Sequence, residues 1–106
     1  MAFIEKQLSI HLKKEWFDAI KNGSKLYEIR PCTPYWTKRL SKKYDIVVFA
    51  LGYPKKGDWA KIIHKTFESS SKVSKQEIFK LITSKEKVFI QKAFPDTQHF
   101  YLIAFR

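Results

Sequence analysis

Hydrophobic and polar residues alternate near the start of the chain, and a second apolar segment lies at its end. Leu8, Ile10 and Leu12 alternate with polar residues over positions 7–12. A period of two places successive side chains on opposite faces of a strand. The pattern predicts a first strand over 7–12 with one buried face. A closing strand is predicted over 99–106, after the break at Pro95 and Asp96.

Helical spacing and a long apolar run indicate the next elements. Apolar residues at 12, 16, 19 and 20 predict a helix over 14–22, which Asn22 and Gly23 are suited to close. A short extended segment should end at Arg30, because Pro31 biases the preceding residue away from helical geometry. The apolar run over 44–51 predicts a strand covered on both faces. After a loop over 52–58, a looser alternation predicts a strand over 59–67.

Capping patterns mark three further helical segments. Thr33 and Pro34 are typical of a helix start, and they predict a short helical turn over 35–40. Ser74 and Glu77 form a capping-box pattern that opens a second helix, and a third helical stretch is predicted over 85–94. The serines at 69–71 are the longest low-complexity stretch, so no linker divides the chain.

Five strands interrupted by helices at irregular intervals differ from the regular alternation of parallel α/β folds. They predict an α+β fold, a small mixed β-barrel of about five strands flanked by helices. A chain of 106 residues is long enough for one compact domain and too short for two ordinary ones. We therefore expect a single domain over residues 1–106.

The composition narrows the class of protein. With 44% hydrophobic residues the chain can fold without cross-links, and the lone Cys32 excludes an internal disulfide. No apolar run reaches the length of a membrane span, and the first residues lack the features of a signal peptide. We expect a soluble, cytoplasmic protein that does not act on membranes.

The net charge points to a polyanionic partner. The chain carries 21 Lys and Arg against 10 Asp and Glu, a formal net charge of +11. Such a field attracts RNA or DNA. Lysines far outnumber arginines, which favours loose, salt-sensitive phosphate contacts. The alternative is that the charge serves solubility alone.

Three charged residues open the predicted strand that follows the first helix. Lys25, Glu28 and Arg30 lie within eight positions of Gly23. A lysine acts as a base or nucleophile only where its surroundings favour the neutral amine, and a nearby glutamate could pass the proton on. Because strand side chains alternate, Lys25 and Glu28 can share a site only if Lys25 lies in the turn before the pleat. The competing interpretation is a structural ion-pair cluster.

The pattern G-x-K-x-x-E-x-R over 23–30 resembles the signature of the ASCH family, small domains with a fold like the RNA-binding PUA domain. Residues 8–11, 44–49 and 100–105 resemble the family's first, central and closing strands. Tyr44 and Asp45 stand where a Gly-Asp pair often precedes the central strand.

The resemblance implies hydrolysis of acetylated cytidine or cleavage of RNA, with a catalytic lysine at Lys25. Members that act on acetylated cytidine carry threonine at the position of Glu28. They also use a glutamate before a later helix, where this chain offers the serines at 69–71, with Glu68 and Glu77 as imperfect substitutes.

A second set of candidates interleaves aromatic rings with cations, the combination that stacks unpaired bases and holds their phosphates. It comprises Tyr35, Trp36, Arg39, Tyr53, Lys55, Lys56 and Trp59. Aromatic rings in small barrels are more often core than platform, so burial is favoured for Trp36 and Trp59. Tyr53 is expected to be exposed.

Other chemistries find no support in the sequence. His11, His64 and His99 show no ligand spacing, so we expect no metal and no other cofactor. Cys32 has no triad partner identifiable from spacing and is expected to be inert. No glycine-rich phosphate loop occurs.

The leading hypothesis is a domain whose cleft binds RNA or a modified nucleoside. Lys25, Glu28 and Arg30 would form its floor, and the basic aromatic loops would surround its mouth. For hydrolysis, Lys25 would activate a water, Glu28 would pass the proton and Arg30 would steady the oxyanion.

Two alternatives remain: a non-catalytic adaptor that recruits a protein, and a general electrostatic binder of nucleic acid without a cleft. The oligomeric state and the role of residues 69–95 stay open.

Overall fold

The computed structural model describes residues 6–106, which form five β-strands and four α-helices. The strands are β1 (Gln7–Leu12), β2 (Tyr27–Pro31), β3 (Ile46–Leu51), β4 (Ile62–Ser74) and β5 (His99–Phe105). The helices are α1 (Lys14–Lys21), α2 (Pro34–Leu40), α3 (Lys75–Phe79) and α4 (Ser84–Ala93). The predicted α+β class with about five strands is confirmed. Within the described residues, no helix is both long and apolar enough to cross a membrane.

The five strands form one sheet in the order β1-β3-β4-β5-β2. β1 pairs in parallel with β3, from Gln7 opposite Ile46 to Leu12 opposite Leu51. β3 pairs antiparallel with β4, so the sheet is mixed, as predicted. The burial of β3 on both faces explains its composition, because a strand covered on both faces carries apolar residues at consecutive positions. Residues 47–50 of β3 are all buried.

Contacts divide the described residues into two compact units. The first comprises 6–26, 43–69 and 104–106, and the second comprises 27–42 and 70–103. In the first unit, β1 and β3 contribute buried residues alongside Phe17 and Ile20 of α1. Phe49 meets Phe105 edge to face, with ring centroids 4.9 Å apart. Helix α1 ends as predicted, because Gly23 adopts a φ of +84° just beyond it.

The second unit has its own hydrophobic cluster. Ile78, Ile90 and Phe100 are buried together, and Phe94 lies edge to face against Phe100 with ring centroids 6.1 Å apart. The helix starts follow the sequence signals. Thr33 caps α2 and Ser74 caps α3, each by accepting a hydrogen bond from a backbone N–H in the first turn. A capping box of Thr83 and Glu86 opens α4.

The largest correction concerns the predicted strand over 59–67. Trp59–Lys61 is a 3₁₀ turn, and β4 instead runs from Ile62 to Ser74, through the serines at 69–71. The composition of residues 62–74 does not predict so long a strand. Polar residues adopt the strand conformation when adjacent strands supply hydrogen-bond partners for their backbone N–H and C=O groups. The pair Thr66 and Arg106 illustrates this, since each donates its backbone N–H to the other's carbonyl, at 2.8 and 3.0 Å.

A smaller correction concerns the end of β2. The strand includes Pro31 rather than ending at Arg30. Cys32 then donates its backbone N–H to the carbonyl of His99 at 3.2 Å. Proline is tolerated at this position because β2 is an edge strand of the described sheet, where a residue without an N–H need not remove a ladder bond.

Candidate functional site

Lys25 is a buried lysine between α1 and β2. Its side chain belongs to the first unit and the residue is only 6% exposed. The backbone N–H of Lys25 donates to the Ala19 carbonyl at 3.0 Å, and its Nζ lies 5.4 Å from the centre of the Trp16 ring. Because β2 begins at Tyr27, Lys25 lies before the pleat, which was the condition set by the sequence. An ammonium in such a place loses hydration, and the contacts around it must offset that loss.

Glu28 and Arg30 lie in β2, within the second unit. Glu28 is 5% exposed, and its two oxygens accept hydrogen bonds from the Ile29 backbone N–H at 2.9 Å and from Arg30 Nη2 at 3.1 Å. Residues two apart in a strand share a face, which brings these two side chains together. The pair is therefore a largely buried, charge-assisted contact.

The guanidinium of Arg30 also reaches an aromatic ring. Its Cζ lies 5.0 Å from the centre of the Trp36 ring, and Arg39 Cζ lies 4.7 Å from the same centre. Arg39 further donates from Nη1 to Tyr35 Oη at 3.3 Å. The sequence-predicted residues Glu28, Arg30, Tyr35, Trp36 and Arg39 thus form one contact chain in the second unit, which we call the arginine–tryptophan cluster.

Burial separates the aromatic candidates of this cluster. Trp36 is buried, as predicted, whereas Tyr35 is 62% exposed. The ring of Tyr35 stands edge-on to that of Trp36, at 85° and 5.4 Å between centroids. Arg39 therefore bridges an internal ring and an external one, by contacts that favour a cation over an aromatic face.

The loop after β3 carries the other predicted binding residues, all in the first unit. Tyr53 is 87% exposed, as predicted, and stacks on His11 with ring centroids 4.2 Å apart and planes at 24°. His11 Nδ1 lies 2.7 Å from the Gly52 carbonyl, which can only accept, so Nδ1 carries the proton and donates it. This bond and the stack hold the Tyr53 ring in place.

An open cavity of about 540 Å³ lies beside this stack, and we call it the Tyr53 cavity. It is lined by His11, Leu12, Lys13, Lys14, Leu51, Gly52, Tyr53 and Lys61. The parallel pairing of β1 with β3 places Leu12 opposite Leu51, which brings the residues that follow each strand close together. Because no local sequence signal marks this pairing, the contribution of His11, Lys13, Lys14 and Lys61 was missed at the level of sequence.

Trp59 contradicts its prediction. It was expected to be buried, but it lies in the 3₁₀ turn before β4 and is 73% exposed. A side chain in a surface turn can point into solvent. In the predicted strand, alternation of side chains would have placed the Trp59 ring on the face that packs against the core. Lys55 and Lys56 are exposed in the same loop.

Cys32 is a half-buried thiol at the end of β2. Burial raises the pKa of the Cys32 thiol above its ordinary value, and the positive charge of Lys72 opposes this effect without overcoming it. A protonated thiol is a poor nucleophile. In the described part of the chain, no group of three or more His, Cys, Asp or Glu side chains is placed to hold a metal ion.

The mixed five-stranded sheet and its helices define an ASCH-like fold, in agreement with the resemblance found over residues 23–30. The structure is similar to the crystal structure of a serine-to-alanine mutant of the ASCH protein from Zymomonas mobilis, with a TM-score of 0.67 and 16% sequence identity. The match covers 96% of this chain and 68% of that one. No family model matches the sequence, and no curated protein matches it.

Proposed function

We propose that this ASCH-like chain binds single-stranded RNA, and that it takes a nucleoside of that RNA as its specific ligand. The observation that carries the proposal is the exposure of two aromatic rings in one lysine-rich segment. Tyr53 and Trp59 are 87% and 73% exposed, and Lys55 and Lys56 lie between them. Two exposed rings that flank two lysines in one short segment, on a chain of net charge +11, form a candidate contact surface for a polyanion that carries flat rings.

Stacking and charge act together on such a surface. Every base offers a face that can stack on an aromatic ring, and each stack is worth about 1–3 kcal/mol. Lysines supply contacts to phosphates that release counterions. Duplex RNA offers no free base faces, so the exposed rings favour single strands.

Binding is tested by fluorescence anisotropy with a labelled single-stranded RNA and its duplex, at about 50 and about 200 mM salt. Trp59→Ala should weaken binding of the single strand about tenfold and leave duplex binding unchanged. Lys92→Ala, which removes one exposed charge from α4, is the control. Equal losses in the two variants would reduce the protein to a general electrostatic binder, and the absence of RNA binding would leave the adaptor hypothesis.

The position of Lys25 just before β2, where the resemblance implies a catalytic lysine, supports a second candidate, hydrolysis. In this candidate the Lys25 amine would act as the general base that takes a proton from a water molecule. In acetylated cytidine, that water would attack the carbonyl carbon of the acetyl group, and breakage of the amide C–N bond would yield acetate and cytidine. In RNA the bond broken would be a phosphodiester.

The hydrolytic candidate is tested by incubating the protein with acetylated cytidine and with short RNA, then separating the products. Lys25→Ala should abolish product formation, and Lys25→Arg should do the same because an arginine does not act as a base near neutral pH. Product formed equally by wild type and both variants would exclude Lys25 as the base, and no product from wild type would exclude catalysis on these substrates.

A further inference from the structure

We infer that the Tyr53 cavity is a subsite for one nucleotide, in which the base stacks on the outer face of Tyr53 and lysines at the cavity wall hold the phosphate. The inference rests on the proposed binding of RNA and names where one nucleotide of it is held. The cavity is lined by His11, Lys13 and Lys61, none of which the sequence marked as a nucleic-acid-binding residue.

The stacking platform is already assembled. One face of the Tyr53 ring is covered by His11 at 4.2 Å, yet the residue remains 87% exposed, so its other face is open. Gly52 supplies the turn that presents the ring, with a φ of +59° that other residues rarely adopt. A ring held by a stack and by the His11 contact to the Gly52 carbonyl loses little freedom when a base covers it.

Cations line the cavity at several points. Lys14 pairs with Asp18 at 2.6 Å and Lys61 pairs with Asp58 at 3.3 Å, so part of their charge is already balanced. Lys13 has no ion-pair partner among residues 6–106. It also lies at the amino end of α1, where it makes no side-chain cap. Lys13 is therefore the lysine whose charge is most available to a phosphate, with Lys61 as the second.

The lining of the cavity suits one nucleotide that lies against its wall. The cavity has a volume of about 540 Å³ and is open to solvent, so a bound nucleotide would be covered on one side only. Leu12 and Leu51 add apolar wall, which suits the body of a base or ribose. Since larger rings stack over more area, the subsite should prefer purines to pyrimidines.

The experiment uses AMP, adenosine and inorganic phosphate as probes, with the whole chain. Amide NMR spectra of the wild type should shift at Gly52 and Tyr53 on adding AMP, less on adding adenosine, and least with phosphate. Tyr53→Ala should weaken the binding of AMP about tenfold. Tyr53→Phe, which keeps the ring, should bind AMP within about twofold of wild type.

A second variant tests the contact with the phosphate. Lys13→Ala should weaken the binding of AMP and leave the binding of adenosine unchanged. It should also lower the salt slope of RNA binding by about one. Lys92→Ala, the control, should change neither the preference for AMP over adenosine nor the amide shifts at Gly52 and Tyr53. Both replaced side chains are exposed, so thermal unfolding should confirm that each variant folds as the wild type does.

The outcomes separate this inference from the proposed function. If RNA binds but AMP leaves Gly52 and Tyr53 unshifted, the subsite is wrong and RNA binding stands. If phosphate binds as well as AMP and Tyr53→Ala has no effect, the cavity is a plain anion site and the inference is overturned. If neither RNA nor AMP binds, both proposals fail.

Discussion

Arg30 donates a hydrogen bond from Nη2 to Glu28 Oε2 at 3.1 Å, within a strand where the glutamate is only 5% exposed. The same guanidinium lies 5.0 Å from the centre of the Trp36 ring. Burial of such a pair carries a desolvation penalty that its Coulomb energy does not always offset. The contact holds the Arg30 guanidinium beside Trp36, and removal of Glu28 would take away a carboxylate that balances this largely buried cation.

Glu28→Ala should lower the free energy of unfolding by about 3 kcal/mol, because it removes one partner of a buried pair. Glu68→Ala is the matched control. Glu68 pairs with Arg106 at 3.5 Å in an exposed position, and its loss should change stability by less than about 1 kcal/mol. Urea denaturation measures both. Similar small losses would show that the Glu28 contact contributes no more than a surface pair.

Replacement of the buried Trp36 should destabilise the protein far more than replacement of the exposed Trp59. Trp36→Ala should lower the free energy of unfolding by about 3–5 kcal/mol, because it leaves a cavity under two arginines. Trp59→Ala should change it by less than about 0.5 kcal/mol, since the ring is mostly in solvent. Thermal and urea unfolding provide the comparison. A large loss of stability in Trp59→Ala would mean that this ring packs against the protein and is not available to stack on a ligand.

Loss of the buried Lys25 ammonium should cost a limited amount of stability. Lys25→Met keeps most of the length of the side chain but removes the cation–π contact with Trp16, so the free energy of unfolding should fall by about 0.5–2 kcal/mol. Urea denaturation measures the loss. A loss above about 3 kcal/mol would show that the ammonium belongs to a buried structural ion pair, and the functional assignment of Lys25 would lose its basis.

Cys32 should make stability depend on alkaline pH. Its pKa is raised in the folded state, mainly by burial, so folding favours the protonated thiol. This contribution is complete below the pKa of the thiol in the unfolded chain and is lost as pH rises through the folded value. Urea denaturation of wild type and Cys32→Ala across that range should show a steeper fall for wild type.

Lys72 provides an independent check on the same thiol. Its charge lowers the pKa of Cys32, so Lys72→Ala should raise that pKa further and slow alkylation by iodoacetamide near neutral pH. The effect should be small and should shrink at high salt, because Lys72 is exposed. Faster alkylation in the variant would contradict the assigned direction.

Local signals in the sequence predicted most of the elements. The helix ends at Gly23, Thr33 and Ser74 agree with the structure because capping depends on a few neighbouring residues. The apolar run of β3 was recognised because its burial on both faces leaves a pattern within the strand itself. The position of Lys25 before β2 also followed from local rules, since Gly23 and the strand-forming residues after it lie within one short segment.

The pairing of strands that are distant in the sequence decided the features that local patterns did not predict. His11 and Gly52 are 41 positions apart, and they meet only because β1 pairs in parallel with β3. The length of β4 and the exposure of Trp59 likewise depend on which backbone groups find partners elsewhere in the chain. The sequence by itself determined the α+β class, the helix caps and the charged segment around Lys25, whereas the tertiary structure alone assembled the Tyr53 cavity. The physical reason is that caps and periodicity act over a few residues, while strand pairing joins segments whose local sequences carry no mark of one another.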